Sequence, residues 1–281
     1  MGRAIAALMT LALAASIEAE SGPDCQPLAG ASLLWPKTGL RFVLVGETHG
    51  TAEAPMLFRD LVCAAESTGR PIVVGLERSV DEQPAIDVFL AGENRDAAAT
   101  ALLLQPGWNS FDGRSSRAML ALLEALRTLR RQGRIAEAVA FSAYRAGDSP
   151  AVGERRMASV LMAAAGRHPH ALVLALTGNL HASKKDLLPA PSMAANLPAA
   201  ETVSLLAVDK GGESWNRMQD GCGPHRQRGI GGDERGIVLS EGAAPLPGFD
   251  GVASTGLAAT ASPPALPNAP APPACSTLTS R

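Results

Sequence analysis

Short apolar runs alternate along the chain with longer amphipathic stretches. The run 41–46 (RFVLVG) is rich in β-branched and apolar residues and ends at a glycine, a pattern that predicts a strand. The stretch 53–67 carries apolar residues at helical spacing and predicts a helix. The same reasoning predicts further strands at 71–77, 138–142, 171–177 and 202–208, and further helices at 83–91, 117–131 and 150–165.

The predicted strands are apolar on both faces and are separated by helices. This pattern is typical of a mostly parallel sheet, because parallel connections place helices over both of its faces. We therefore predict an α/β fold with a mostly parallel central sheet and helices on both faces. The glycine-rich stretch 211–236 predicts a long loop or small insertion, and segments 236–240 and 249–254 predict final strands, with an antiparallel strand at the sheet edge.

The two ends of the chain differ from the part between them. Residues 1–19 contain Arg3, an apolar run and then small residues, as a secretory signal peptide does. The run is too short to span a bilayer, so we predict a periplasmic or secreted protein without a membrane span after cleavage. A buried N-terminal helix is the alternative interpretation. Prolines crowd residues 260–281 and predict a disordered tail, which leaves 20–259 as a single domain.

The charge and the cysteine content of the chain indicate which binding partners and which disulfides to expect. The 281 residues include 25 Lys and Arg and 27 Asp and Glu, which gives a net charge of −2. The chain therefore lacks the excess of basic residues that is typical of proteins that bind nucleic acid. We expect a small-molecule or peptide substrate, no nucleic-acid partner, and an oligomeric state that the sequence does not specify. Four cysteines allow three complete pairings in an exported chain, and Cys275 in the tail could remain unpaired.

Polar residues follow three of the predicted strands. Glu47 and His49 come after the first strand, Glu77 ends the second, and Asn179 and His181 follow the strand at 171–177. The spacing Gly-x-x-His occurs after two of these strands. Because ligands of open parallel sheets bind at the carboxyl ends of the strands, we expect these side chains to form one site.

Each of these residue types suits acid–base or metal chemistry. His49 and Glu53 would share one face of a helix that began near residue 48, where they could hold a water or a metal. A neutral His49 could act as general base, with Glu77 as its orienting group, as a leaving-group acid or as a metal ligand. His181 could be a second ligand or the partner acid, and Asn179 could donate to an oxyanion.

The remaining candidates have simpler alternatives. Glu47, Asn179 and Arg78 are expected to bind substrate, although residues at strand ends often serve as caps or loop hydrogen bonders. Glu53 could instead simply stabilise the first turn of its helix. His225 could close over the site from the glycine-rich stretch, and we expect Tyr144 to have a packing role.

Four segments resemble the erythromycin esterase, ChaN and Tiki superfamily: VGETHGTAEAP (45–55), GLE (75–77), RMA (156–158) and TGNLHAS (177–183). The esterase branch implies lactone hydrolysis with a base matching His49, supported by acids matching Glu53 and Glu77. The Tiki branch implies a metal-dependent protease that uses both Gly-x-x-His motifs. The ChaN branch implies haem binding. Gly153 stands where the esterases carry an arginine, and the resemblance suggests that Arg155 or Arg156 takes its place, with Arg156 as the predicted substrate-binding residue.

These observations support an exported hydrolase in which water activated by His and Glu attacks an ester, lactone or amide. A divalent metal bound by His49, His181 and Glu77 could share the site. The alternative is a haem- or iron-binding protein without turnover, against which the scarcity of aromatic residues argues, with three Trp, six Phe and one Tyr. A third hypothesis is a member of the superfamily whose site is only structural.

Overall fold

A seven-stranded sheet forms the centre of the protein in a computed structural model that describes residues 25–185, 189–240, 247–266 and Cys275. The predicted signal peptide lies outside the described residues. The strands of the central sheet are β1 (Phe42–Glu47), β2 (Ile72–Ser79), β3 (Glu137–Ser142), β4 (Leu172–Gly178), β5 (Thr202–Val208), β8 (Gly236–Leu239) and β9 (Gly251–Ser254). Strands β6 (Gly212–Met218) and β7 (Gly221–Gln227) form a separate two-stranded sheet.

The order of strands in the sheet is β3-β2-β4-β1-β5-β9-β8. All neighbours pair in parallel except β8 and β9, so the predicted parallel sheet with an antiparallel edge strand is confirmed. The strands β2, β4 and β1 are adjacent. Their carboxyl ends, which carry the polar residues identified in the sequence, therefore lie side by side.

Helices cover both faces of the sheet, which confirms the α/β prediction. They are α1 (Glu53–Ala65), α2 (Gln83–Ala91), α3 (Arg95–Leu103), α4 (Arg117–Arg131), α5 (Pro150–Arg167) and the single turn α6 (Asn179–Ala182). Alternate residues of β1 divide between two cores, because successive side chains of a strand point to opposite faces. Val43 and Val45 pack in the core of α1, α2 and α4, and Phe42 and Leu44 pack in the core of α5. None of the helices in the described part of the chain has the length and apolarity that crossing a membrane requires.

The first helix begins after His49, whereas a shared helix face for His49 and Glu53 requires a helix that begins near residue 48. Helix α1 begins at Glu53, and His49 lies in the loop before it. Gly50 has a φ of 89°, a left-handed conformation that a helix cannot include. The expectation that the two side chains share one helix face is therefore wrong.

The glycine-rich stretch forms a small insertion rather than a long loop. Strands β6 and β7 pair as an antiparallel hairpin with seven register pairs, from Gly212 opposite Gln227 to Met218 opposite Gly221. The hairpin is anchored next to His49, because the backbone N–H of Trp215 donates to the carbonyl of Gly50 at 2.9 Å.

The first residues of the segment predicted as a disordered tail are ordered against the domain. The backbone N–H of Ser262 donates to the carbonyl of Gly50, and that of Ala265 donates to Ser115, so residues 260–266 pack on the domain. Proline lacks an N–H but its carbonyl remains an acceptor, and Pro263 receives the N–H that begins α4. The rest of the predicted tail, apart from Cys275, lies outside the described residues.

All four cysteines are paired. Cys25 forms a disulfide with Cys63 of α1, and Cys222 of β7 forms one with Cys275. The expectation that Cys275 could remain unpaired is wrong. Its partner lies on the hairpin, which the sequence could not place next to the carboxyl-terminal segment.

Candidate active site

An open cavity of about 380 Å³ lies at the carboxyl ends of β1, β2 and β4. Strand register brings its residues together, because Glu47 at the end of β1 is paired with Gly178 at the end of β4. Leu76 of β2 is paired with Leu176 of β4, so Glu77 lies beside Thr177. The cavity is where an open parallel sheet is expected to bind a ligand.

Glu77 is the central carboxylate of the cavity. Its Oε2 atom accepts hydrogen bonds from the hydroxyl of Thr177 and the backbone N–H of Gly178, both at 2.6 Å. Its Oε1 atom lies 3.2 Å from the guanidinium of Arg114, which also pairs with Asp112 at 2.5 Å. These contacts hold Glu77 as a charged group although its side chain is buried.

Two histidines face Glu77, and a second carboxylate orients each of them. Nδ1 of His49 lies 3.0 Å from Glu47, and Nδ1 of His181 lies 2.7 Å from Glu154. The Nε2 atoms of His49 and His181 lie 3.5 and 3.7 Å from the two oxygens of Glu77. Each carboxylate holds a proton on Nδ1, so the Nε2 atoms are directed into the cavity.

Glu154 is a site residue that sequence reasoning missed. It lies in the first turns of α5 with its side chain fully buried, and it accepts from the Tyr144 hydroxyl and the Met193 backbone N–H, both at 2.5 Å. The local signal is Gly153, where an added Cβ would lie 2.2 Å from the ring of Tyr144. A glycine inside a helix pattern often marks such close packing.

The charges of the site shift the pKa values of its titratable groups. Burial alone lowers the pKa of His49, but the charge of Glu77 and the hydrogen bond to Glu47 outweigh burial and raise it to about 10. Burial raises the pKa of Glu77, yet the two histidines and Arg114 hold it well below its ordinary value. His49 is therefore an imidazolium and Glu77 a carboxylate at neutral pH.

The pKa of the second histidine is also raised. Burial lowers the pKa of His181, whereas the hydrogen bond to Glu154 and the charge of Glu77 raise it above 6.5. The positive charge of His49 opposes that rise. Burial raises the pKa of Glu47 above its ordinary value despite its contact with His49.

Glu53, a predicted catalytic residue, is directed away from the cavity. Its Oε2 atom accepts from the backbone N–H of Thr260 at 2.9 Å. This contact holds the segment after β9 against the beginning of α1. The structure therefore does not bring Glu53 to His49, because the loop at Gly50 turns the chain between them.

Two predicted substrate-binding arginines also lie outside the cavity. Arg78 is buried, pairs with Glu82 at 2.7 Å and places its guanidinium 4.4 Å from the ring centre of Trp108. Arg156 pairs with Asp148 at 2.6 Å. By contrast, the other predicted site residues line the cavity: Glu47, His49, Glu77, Asn179 and His181.

The hairpin and one loop supply cavity residues that the sequence did not indicate. Residues 216–218 of β6 line the cavity, and Trp215 packs with its ring centre 5.7 Å from that of Phe111. Asp112 and Arg114 line the cavity from the loop before α4. His225, which the sequence suggested only as a residue that could close over the site, is not among the described residues that line it.

The donor set does not fit the predicted metal site. Of the three predicted ligands, His49, His181 and Glu77, the carboxylate already accepts from two donors and pairs with Arg114, whose cationic head would repel a metal cation. Among the described residues, no group of three or more His, Cys, Asp or Glu side chains is arranged to hold a metal. The described lining also contains no Phe, Tyr or Trp side chain against which a haem could stack.

The fold defines the chain as an α/β protein with a polar site at the carboxyl ends of its strands. No protein-family model matches the chain, and no curated protein matches it in sequence.

The solved structures that are similar in fold include the following three. One is a mutant of the erythromycin esterase EreC in its open conformation, with 11% identity over 82% of this chain and 91% of that one, at a TM-score of 0.57. Another is a Bacillus cereus protein, with 12% identity over 84% of this chain and 93% of that one, at a TM-score of 0.55. A third is a succinoglycan biosynthesis protein, with 10% identity over 83% of this chain and 91% of that one, at a TM-score of 0.58. The fold implied by the superfamily resemblance is confirmed.

Proposed function

We propose that the protein is an exported hydrolase that adds water to the carbonyl group of an ester, lactone or amide. The observation that carries the proposal is the pair of carboxylate-oriented histidines, His49 and His181, whose Nε2 atoms both face Glu77 in an open cavity. Two imidazoles in different charge environments are what general acid–base catalysis requires.

The charges assign opposite roles to the two histidines. With a pKa of about 10, His49 is a donor at neutral pH and suits the oxygen that becomes negative when water attacks the carbonyl. His181 is the base, because Glu154 holds its Nδ1 proton and leaves Nε2 as the acceptor once the ring is neutral; Glu154 and Glu77 raise its pKa, and the charge of His49 opposes that rise. This assignment reverses the sequence-based one, in which His49 is the base.

The reaction then balances without a further reactant. The water oxygen bonds to the carbonyl carbon while its proton passes to Nε2 of His181. The bond from that carbon to the leaving oxygen or nitrogen breaks, and His181 returns the proton to the leaving atom. The products are a carboxylic acid and an alcohol or amine. Glu77 stays ionised and stabilises both imidazolium forms, and Asn179 lines the cavity as a second donor for the oxyanion.

The proposed export has separate support. The pattern of residues 1–19 is that of a signal peptide, and both disulfides join segments that are distant in sequence. Disulfides of this kind persist in oxidising compartments such as the periplasm. Amino-terminal sequencing of the protein recovered from the periplasm tests this part, and an amino terminus at Met1 would contradict it.

Hydrolysis is tested with purified mature protein and a panel of esters, lactones and peptides. We expect turnover that depends on both His49 and His181, since the His49→Ala and His181→Ala variants each remove one half of the acid–base pair. The Glu53→Gln variant is the matched control, because Glu53 is directed away from the cavity. Absence of turnover together with stoichiometric haem uptake would support the binding alternative and contradict the hydrolase.

The pH dependence of kcat/KM separates the two roles. We expect activity to rise with pH as His181 loses its proton, at a pKa above 6.5, and to fall near pH 10 as His49 loses its own. An alkaline optimum between these limits supports the assignment. An optimum below pH 6, where both histidines are protonated, would contradict it.

A further inference from the structure

Arg217 of the hairpin differs from the other charged residues that line the cavity. Those residues all take part in ion pairs with one another: Glu47, His49, Glu77, Asp112, Arg114 and His181. Arg217 lines the same cavity, is exposed, and its guanidinium forms no hydrogen bond or ion pair with any described residue. Each of the other charged side chains that line the cavity thus has a partner of opposite charge, whereas Arg217 does not.

The hairpin holds Arg217 in a defined place. Arg217 lies directly opposite Cys222 in the register, and Cys222 is joined to Cys275 by a disulfide. On the other side, Trp215 is hydrogen bonded to Gly50, one residue beyond His49. The backbone that carries Arg217 is thus held on both sides, by a disulfide and by the loop that carries His49.

The wall beside Arg217 also lacks a protein partner. Asn216 is 9% exposed, and its Nδ2 donates to the hydroxyl of Ser214 at 3.0 Å. Its Oδ1 atom is buried without a hydrogen-bond donor. An amide oxygen only accepts hydrogen bonds, so it offers nothing to an anion, and any selection of a negatively charged group in this cavity depends on Arg217.

We propose that hairpin β6–β7 selects the substrate, with Arg217 binding a carboxylate that the substrate carries beyond its reacting carbonyl. The inference rests on the proposed function and names its substrate class: esters, lactones or amides of acids that bear a second, anionic group. A guanidinium is suited to this selection because its planar fork binds both oxygens of a carboxylate. Neutral and cationic substrates gain nothing from the same contact.

The test compares three ethyl esters of matched chain length: monoethyl adipate, ethyl hexanoate and ethyl 6-aminohexanoate. Hydrolysis is followed by pH-stat titration, with monoethyl succinate and glutarate added to vary the reach to Arg217. We expect wild type to prefer a half-ester over the neutral ester, and Arg217→Ala to lower kcat/KM for that half-ester about tenfold, the usual effect of a hydrogen bond to a charged group. The neutral ester should be hydrolysed at an unchanged rate.

Three further variants make the result specific. Arg226→Ala is the matched control, because Arg226 is exposed on β7, opposite Glu213, and does not line the cavity. Arg217→Lys should retain part of the preference, and Arg217→Glu should shift it towards ethyl 6-aminohexanoate. If the ratio of kcat/KM for the half-ester to kcat/KM for the neutral ester is the same in wild type, Arg217→Ala and Arg226→Ala, the inference is overturned, whereas the proposed hydrolase function is not.

Binding distinguishes failure of the inference from failure of the proposed function. If no ester is hydrolysed, the proposed function fails, and adipate is titrated into wild type and both alanine variants by NMR. Weaker adipate binding by Arg217→Ala alone supports the anion-selecting hairpin without hydrolysis. Equal binding by all three proteins, or no binding of adipate by wild type, overturns it.

Discussion

The carboxylate of Glu154 offers the most direct test of how the site is oriented. One of its oxygens, Oε1, accepts from the Tyr144 hydroxyl at 2.5 Å and faces Nδ1 of His181 at 2.7 Å. The other, Oε2, accepts from the backbone N–H of Met193 at 2.5 Å. The substitution Glu154→Gln keeps the shape of the side chain but removes its charge and replaces one acceptor by an NH₂ donor.

Neither orientation of the glutamine amide reproduces these contacts. With its oxygen on the Met193 N–H, its NH₂ group donates to Nδ1 of His181, which moves the histidine proton to Nε2 and removes the acceptor from the cavity. With the amide reversed, two buried N–H donors face each other. Loss of a charge-assisted hydrogen bond and the remaining mismatch should lower the free energy of unfolding by about 2–4 kcal/mol.

Activity should fall more than stability alone explains. If His181 is the general base, its loss lowers kcat/KM by about 10²–10⁴-fold in protein that is still folded. Nitrogen-15 NMR of the histidine ring reports the tautomer directly, urea unfolding gives the stability, and pH-stat titration gives the rate. Glu53→Gln makes the same chemical change outside the cavity and should leave all three unchanged. A Glu154→Gln protein with the wild-type tautomer and rate would refute the reasoning.

Three further predictions concern the same site. Because the pKa of His49 is raised from 6.5 to about 10, its contribution to stability, at most about 5 kcal/mol, is full below pH 6.5 and is lost as the pH rises to 10. The contribution of Glu77, whose pKa is depressed, is lost as the pH falls below 4.5. Urea unfolding at a series of pH values should show both losses of stability, and the His49→Gln variant should lack the loss at alkaline pH. Gly178→Ala places a Cβ 3.0 Å from Nε2 of His49 at ordinary backbone angles, so kcat/KM should fall about tenfold or more with little change in melting temperature; an unchanged rate would show that His49 has room to move. Replacing Cys222 and Cys275 by serine should reduce the preference for half-esters while neutral esters react as before, and an undiminished preference would show that the disulfide does not position the hairpin.

The elements of the central sheet could be predicted because each carries its own local signal. The strand at 41–46 and the helix at 117–131 have apolar patterns that only one kind of element satisfies, and both are found, as Phe42–Glu47 and Arg117–Arg131. The hairpin was harder to predict. Its strands include Gly212, Pro224 and several exposed polar residues, and such a composition has weak strand propensity.

The site was predictable only where its residues directly follow strands. Glu47, His49, Glu77 and His181 could be grouped because parallel strands bring their carboxyl ends together. Glu154 could not, because it lies on a helix and reaches the site only through the packing of α5 against the sheet. Glu53 shows the converse, since a sequence separation of four indicates proximity only if the intervening residues are helical.

By itself, the sequence determined the α/β class, the sheet end that carries the chemistry and the two Gly-x-x-His motifs, because periodicity and residue type are local properties. Only the tertiary structure decided which carboxylate orients each histidine, which charged residue lining the cavity lacks a partner and which cysteines join. Those relations depend on distances between segments as far apart as β2 and β4, or Cys222 and Cys275. The charge of His49 follows from the same cause, because its pKa is set by Glu77, which is a neighbour in space and not in sequence.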